Sequence, residues 1–198
     1  MKKLGIGGIL LIIGIILLIF GWSWYNSTIG LKENVTSQWA NVESSYQRRN
    51  DLIPNIVATA KQYAEFEQET LNNVIKARAN ATSINIDASD LTPEKIAAFS
   101  QAQSAVSSGL GRLLATYENY PNLKANENFK ELINELERTE NRINVERNRF
   151  NETARGYNTK IKKLPGALFA GILGFDEEPY FKAEEGSEQA PDVGNLFE

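Results

Sequence analysis

Residues 4–25, LGIGGILLIIGIILLIFGWSWY, form an apolar run without a charged side chain, and two lysines, Lys2 and Lys3, precede it. At a rise of 1.5 Å per residue, about 20 apolar residues cross a hydrocarbon core of about 30 Å. The run is apolar on every face, whereas a helix at the surface of a soluble core keeps a polar face. We therefore expect residues 1–25 to form a single transmembrane helix whose partner is the lipid bilayer.

A cleaved secretory signal is the main alternative for this run. The apolar region of such a signal is only about 7–15 residues long and ends at small residues. This run is longer, and the bulky Trp22, Trp24 and Tyr25 end it. We therefore predict an uncleaved signal anchor. By the positive-inside rule the N-terminus is expected in the cytoplasm, the three aromatic residues at the outer headgroups, and the rest of the chain outside.

Three glycines, Gly7, Gly14 and Gly21, recur every seven residues within the run and so share one helix face. Small residues on one face allow two membrane helices to pack closely. The alternative is that glycine is simply frequent in membrane helices. The spacing favours self-association of the chain through this face.

Composition excludes several classes of site. The chain has no cysteine and no histidine, so disulfides, Cys–His sites and Ser–His–Asp sites cannot form. We expect no metal, no cofactor and no enzymatic activity. From Asp176 onward there are eight acidic residues and one lysine, and residues 182–198 are expected to be an acidic, disordered tail.

Apolar residues at steps of three and four predict an all-α body over residues 26–181. The first helix is expected to cover residues 26–81, with a kink at Pro54 rather than an end. The polar stretch from Asn80 to Leu91 breaks the period and is expected to be a loop.

Two further helices are predicted from their start signals. Thr92 and Pro93 are typical of an N-cap and a first helical residue, and Pro121 ends that helix. Asn126 is expected to cap a third helix that reaches about Lys163. Three long helices with short connections predict an elongated antiparallel bundle, up-down-up, with coiled-coil-like packing. The third helix would then end far from the membrane.

A compact apolar segment follows the third helix, after Pro165 and Gly166 stop it. Its large apolar residues are Leu168, Phe169, Ile172, Leu173 and Phe175. One interpretation is that the segment folds back and caps the bundle. The other is that it contacts another subunit, a partner or a membrane surface.

Four charged residues fall near the predicted helix seams: Arg49, Glu67, Glu140 and Arg147. Buried charges are costly unless they are paired, so these residues could form an ionic ladder that fixes helix register. Alternatively, they sit at the seam edge and reach water through their stems. A catalytic carboxylate pair, with Glu140 or Glu146, is a third interpretation.

Two stretches resemble a known family. The first contains RRNDLIPNIVATAKQYAEFEQETLNNVIKAR at residues 48–78. The second comprises YENYPNLKANENF at residues 117–129 and RNRFNETARGYNTKIKKLPGALFAGILGFDEEPYF at residues 147–181. With the apolar N-terminal run, they resemble the LemA family over nearly the whole chain except the acidic tail. The motif residues are Arg48, Arg49, Asp51, Pro54, Asn55, Tyr157, Asn158 and Pro165.

The resemblance implies an extended helical bundle on an N-terminal membrane helix, in the bacterial cytoplasmic (inner) membrane, and it supplies no catalytic residue. It also links a magnetosome-associated member to membrane shaping, and other members to membrane proteases or the cell envelope.

Three functions are therefore weighed. The first is a non-enzymatic envelope scaffold that self-associates through the glycine face and the apolar segment, with Phe169, Ile172, Leu173 and Phe175 as contacts. The second is an adaptor or regulator of a membrane protease or translocation machine, docking through residues 48–51 or the acidic tail. The third is a carboxylate-based hydrolase. Nucleic acid is not an expected partner, because the long third helix carries many acidic residues and the body is expected outside the cytoplasm.

Overall fold

A computed structural model describes residues 6–63 and 67–182, and all regular secondary structure in these residues is helical, as predicted. Lys2 and Lys3, on which the predicted orientation depends, and the acidic tail beyond Lys182 lie outside the described residues. The helices are α1 (Ile6–Lys61), α2 (Gln68–Ser83), α3 (Pro93–Tyr117), α4 (Pro121–Lys124), α5 (Glu127–Lys162) and α6 (Gly166–Leu173).

Helix α1 joins the apolar run to the body without a break. It is 56 residues long, which corresponds to about 84 Å. Its side chains from residue 9 to residue 20 are exposed, and this part has the length and composition to cross a membrane. The same helix carries Trp39 and Tyr46 into the core and continues past the exposed Pro54. The apolar run and the first helix of the body are therefore one continuous helix.

The prediction of one helix over residues 26–81 is wrong. Helix α1 ends at Lys61, and the separate helix α2 begins at Gln68. The chain reverses between them, and the Tyr63 hydroxyl accepts a hydrogen bond from Asn126 Nδ2 (2.9 Å), which ties the end of α1 to the start of α5. Buried apolar residues continue on both sides of the reversal, so their period did not reveal it.

Side-chain contacts give the direction of each helix. Trp39 of α1 contacts Phe99 near the start of α3 and Phe150 in the second half of α5. Farther along α1, Arg48 pairs with Glu135, so α5 runs antiparallel to α1. Four helices, α1, α2, α3 and α5, therefore alternate up, down, up, down, and the three-helix bundle is not confirmed. The end of α5 returns to the membrane-proximal side, contrary to the prediction.

Both predicted caps are confirmed. The Thr92 hydroxyl accepts a hydrogen bond from the Lys95 amide (3.3 Å), and Pro93 is the first residue of α3. Asn126 Oδ1 accepts from the Phe129 amide (2.9 Å) at the start of α5. Each cap satisfies one of the amides that a helix start leaves without a backbone partner.

The apolar core consists of two clusters, one above the other along the bundle. The membrane-proximal cluster contains Trp24, Val35, Trp39, Val42, Tyr46, Ile86, Ile96, Phe99, Ile143, Phe150, Ala154, Tyr157, Ile161, Ala170 and Phe181. The distal cluster contains Ile53, Ile56, Val57, Ala60, Leu71, Val74, Ala81, Val106, Leu110, Leu113, Leu123, Phe129, Ile133 and Leu136. A layer of polar side chains lies between them.

Candidate functional site

Three helices each place a polar residue in the layer between the two apolar clusters. In α1, Arg49 lies between Tyr46 of the membrane-proximal cluster and Ile53 of the distal cluster. Gln103 of α3 and Glu140 of α5 lie at the same level, since both bond to the Arg49 side chain. We call these three residues the polar layer.

The guanidinium of Arg49 is the centre of the polar layer, with 1% of the residue exposed. Its Nη1 donates to Glu140 Oε1 (2.9 Å) and to Ser107 Oγ (2.6 Å). Its Nη2 donates to the side-chain oxygen (2.6 Å) and the carbonyl (3.0 Å) of Gln103. The cation also lies 5.1 Å from the ring centroid of Tyr46. One carboxylate and three neutral acceptors thus compensate a buried positive charge, and they hold α1, α3 and α5 in register.

Of the four charged residues that could form an ionic ladder, only Arg49 and Glu140 pair with each other. Glu67 is exposed before the start of α2, where it accepts a hydrogen bond from the Thr70 hydroxyl (2.9 Å). Arg147 lies farther along α5 and donates to the Lys182 carbonyl (3.0 Å). Neither joins the polar layer.

A cleft of about 930 Å³ opens beside the polar layer, between α1, α3, α5 and the chain after α6. The Arg49–Glu140 pair forms part of its wall. Glu146, the second acid considered for hydrolysis, is not in the wall; it accepts from Gln38 Nε2 (2.7 Å) and Arg149 Nη1 (3.1 Å). The structure does not bring the two acids together in one site. Within residues 6–63 and 67–182, no group of acidic side chains is arranged to hold a metal ion.

Residues 175–182, which we call the C-terminal strap, return along α5 without regular secondary structure. Asn158 Nδ2 donates to the Glu178 carbonyl (2.8 Å), and its Oδ1 accepts from the Glu178 amide (2.9 Å). Asn151 makes the same pair of bonds with Phe181, at 2.9 and 2.8 Å. Sequence reasoning singled out Asn158 but missed Asn151. Their separation of seven residues, which puts two amides on one helix face, was the available signal.

The C-terminal strap completes the core and carries one acid, Glu178, whose pKa is raised. The Phe181 ring stacks on Trp39, with centroids 5.9 Å apart. Burial raises the pKa of Glu178, and Lys32, 3.7 Å away, partly offsets the shift. Burial, with the charges of Glu178 and Asp176, raises the pKa of Tyr157 to about 12. The Tyr157 hydroxyl therefore stays protonated and donates to the Asp176 carbonyl (2.9 Å).

Helix α6 packs on α1 where the apolar run ends. The Phe169 ring lies 6.0 Å from Phe20 and 5.4 Å from Trp24, and Phe175 lies 5.6 Å from Trp24 and 5.8 Å from Tyr25. Trp24 is 5% exposed. The placement of the three aromatic residues at the level of the outer headgroups stays a prediction, but α6 covers Trp24. Tyr25 stays partly exposed beside it, as does Trp22.

The proposed contact residues fall into two groups. Residues of the first group pack within the protein. Gly21 lies next to Phe169, and Phe169 and Phe175 pack against α1. The second is open. A Cβ on Gly7 or Gly14 would meet nothing within 4 Å, and Ile172 and Leu173 are exposed.

The remaining motif residues divide by burial. Arg49 and its neighbour Asn50 are buried, so residues 48–51 do not present one continuous docking surface. Arg48 is exposed and pairs with Glu135. The exposed motif residues are Arg48, Asp51, Pro54, Asn55 and Pro165, and the buried ones are Arg49, Tyr157 and Asn158.

Comparison with known proteins gives a family match over most of the chain. Residues 38–194 match the model of the LemA family. Magnetosome protein MamQ 1 of Paramagnetospirillum magneticum is 25% identical over 193 residues, covering 88% of this chain and 70% of the relative. Magnetosome protein MamQ of Magnetospirillum gryphiswaldense is 27% identical over 174 residues, with 79% and 64% covered. Protein LemA of Metamycoplasma hominis is 24% identical over 144 residues, with 73% and 62% covered.

Proposed function

The chain belongs to the LemA family, and we propose that it is a membrane-anchored, non-enzymatic scaffold of the cell envelope that self-associates and presents a helical surface to membrane partners. The observation that carries this proposal is the continuity of α1. One helix contains both the exposed apolar run and the core residues Trp39 and Tyr46. The anchor is therefore the base of the bundle rather than a flexible tether.

A stiff connection suits a scaffold, because contacts between anchors then fix how the bundles above them are spaced. Residues 20–25 of α1 are further braced by α6 through Phe169 and Phe175. A signal-type tether would instead need a flexible, polar linker between span and domain.

Open glycines in the span support self-association. Gly7 and Gly14 have free space beside them, whereas Gly21 on the same face is covered by Phe169. A second copy can therefore approach α1 along the inner part of this face, below α6. Close approach of small residues is a common mode of packing between membrane helices.

The mass of the protein in native lipid tests this proposal. Full-length protein is extracted from the membrane in polymer-bounded lipid discs, and single-particle mass is measured. We expect oligomers for the wild type and for Gly30→Leu, which lies about half a turn from the glycine face, and smaller species for Gly14→Leu. Gly30 also has open space beside it, so it controls for added bulk. A monomeric wild type would overturn self-association.

The proposed location is the bacterial cytoplasmic membrane, with the N-terminus in the cytoplasm and the bundle outside. Support comes from Lys2 and Lys3, which precede the apolar run. Since the chain has no cysteine, Asn55→Cys gives a single exposed thiol on the bundle. A membrane-impermeant maleimide should label it in intact spheroplasts. Labelling only after lysis would show that the bundle lies in the cytoplasm, which is the opposite orientation.

The cleft favours a second candidate function, an adaptor for a membrane protease or another envelope protein. Its wall combines Arg49 and Glu140 with serines of α3, which suits a polar segment of a partner. Ser104→Trp would fill the cleft, whereas Ser108→Trp, one turn away, lies outside its wall. Crosslinking pull-downs from membranes measure the effect. If the protein is an adaptor, Ser104→Trp should no longer recover the partner, whereas Ser108→Trp should still recover it. Recovery of only the protein itself would exclude this function.

A further inference from the structure

Helix α6 lies at the level where α1 leaves the apolar run. Its Phe169 ring contacts Phe20, and a Cβ on Gly21 would lie 3.6 Å from Phe169 Cε1. Phe20 is about 7 Å below Tyr25 along the helix axis. The exposed apolar run of α1 therefore ends at the level of α6.

One face of α6 is apolar and uncovered by the described chain. We call the exposed side chains of Leu168 and Ile172 in this helix, with Leu164 just before it, the α6 outer face. Ile172 is 81% exposed, and Leu164, Leu168 and Leu173 are also exposed. Leu168 and Ile172 are four residues apart within α6 and therefore share one helix face. The opposite face, with Phe169 and Ala170, packs against the protein.

The charges around α6 agree with a place at a lipid boundary. The sequence of α6, GALFAGIL, has no charged residue. Lys162 and Lys163 precede it and Glu177 follows it, and the Lys162 ammonium lies 2.6 Å from the Glu177 carboxylate. A helix at the membrane interface buries its apolar face about 5–10 Å into the headgroup and acyl boundary. Because α6 has no charged residue, it can bury such a face without burying a charge.

We propose that α6 is a second membrane-binding element, which inserts the α6 outer face into the leaflet that α1 leaves. The occupant of this face is the acyl-chain and headgroup boundary of that bilayer. Phe169 of the same helix contacts Phe20, which belongs to the exposed apolar surface of α1. Because α6 adjoins that surface, lipid rather than protein is assigned to its outer face. The inference rests on the membrane anchoring of the proposed function. Two contacts with one leaflet fix the tilt of the bundle, which a single span leaves free.

Single cysteines make the depth of α6 measurable, because the chain has none of its own. Nitroxide labels are placed at Ile172→Cys, at Leu168→Cys one turn earlier, at Leu10→Cys in the span, and at Val145→Cys, an exposed apolar site on α5. Full-length protein is reconstituted in vesicles of phosphatidylcholine and phosphatidylglycerol. Collision with oxygen, which concentrates in lipid, is compared with collision with a water-soluble nickel chelate.

We expect the labels at Ile172 and Leu168 to favour oxygen, as at Leu10, and the label at Val145 to favour the chelate. Nickel-chelate accessibility at Ile172 equal to that at Val145 would overturn the inference while leaving the anchor intact. Spin–spin broadening at Ile172 that disappears on dilution with unlabelled protein would also overturn it, in favour of a second copy. A water-exposed Leu10 label would overturn the anchor itself.

Discussion

Gly166 of α6 lies directly against the indole of Trp24 in α1. A Cβ built on Gly166 would be 2.9 Å from Trp24 Nε1 and would overlap the Lys160 carbonyl oxygen. We therefore expect Gly166→Ala to destabilise the docking of α6 by about 1–3 kcal/mol. Hydrogen exchange over residues 166–173 of the detergent-solubilised protein measures it. Gly171→Ala, with nothing within 4 Å, is the control and should leave exchange unchanged or slower. Equal exchange in both variants would contradict the close packing.

Two adjacent arginines should differ greatly in their contribution to stability. Arg49→Ala removes the buried cation that bonds to Gln103 and Glu140, and we expect a loss of about 3–5 kcal/mol in the free energy of unfolding. Arg48→Ala removes an exposed ion pair with Glu135 and should cost under about 1 kcal/mol. Denaturant unfolding in mild detergent measures both. A similar, small loss for the two variants would show that the polar layer does not hold the helices together.

The C-terminal strap should detach when its asparagine partners are removed. Asn158→Ala breaks the hydrogen bonds to the amide and carbonyl of Glu178, at about 1 kcal/mol each. We expect faster hydrogen exchange at residues 176–182 and little change in the distal cluster. Asn148→Ala, an exposed position of the same helix, is the matched control. Unchanged exchange of the strap in Asn158→Ala would contradict a role of Asn158 in holding it and leave that role to its other contacts, such as the Asn151 bonds.

The Glu178 carboxyl should make the protein less stable as pH rises. Burial holds its pKa above the ordinary value of 4.5, so folding favours the protonated form. That stabilisation is complete below pH 4.5 and is lost as pH rises through the raised pKa. Glu178→Gln should therefore gain thermal stability relative to wild type as pH rises from about 4 to about 7. Partial exposure of the Glu178 carboxyl limits the size of this gain. Glu177→Gln, the exposed neighbour, should follow the wild type. The reverse trend for Glu178→Gln would mean that its ion pair with Lys32 outweighs burial.

Short sequence patterns predicted much of the fold correctly. The exposed apolar run, the Thr92 cap and the Asn126 cap each depend on a few neighbouring residues, so they can be recognised in the sequence. The reversal between Lys61 and Gln68 could not be recognised in this way. Both flanking helices bury a stripe of the same period, and the turn contains neither glycine nor proline. Missing this one turn placed the end of α5 at the far end of the bundle instead of beside the apolar run of α1.

The polar layer was only partly predictable for a related reason. Arg49 and Glu140 stood out because charges are rare at buried positions. Gln103 and Ser107 did not, since neutral polar residues are common on exposed faces and their role appears only when α3 is packed against α1. Asn151 was missed because its partner, the backbone of Phe181, carries no signal in the sequence.

The central claim, that span and bundle share one rigid helix, can be tested by a single distance. Leu18 and Gln47 are exposed on α1, 29 residues apart and on nearly the same face, which corresponds to about 44 Å. Nitroxides at Leu18→Cys and Gln47→Cys are measured by double electron–electron resonance in lipid nanodiscs, diluted with unlabelled protein. A single narrow distribution near this distance is the expected result. A broad distribution with much shorter distances would show a hinge between anchor and bundle, and would contradict the rigid scaffold.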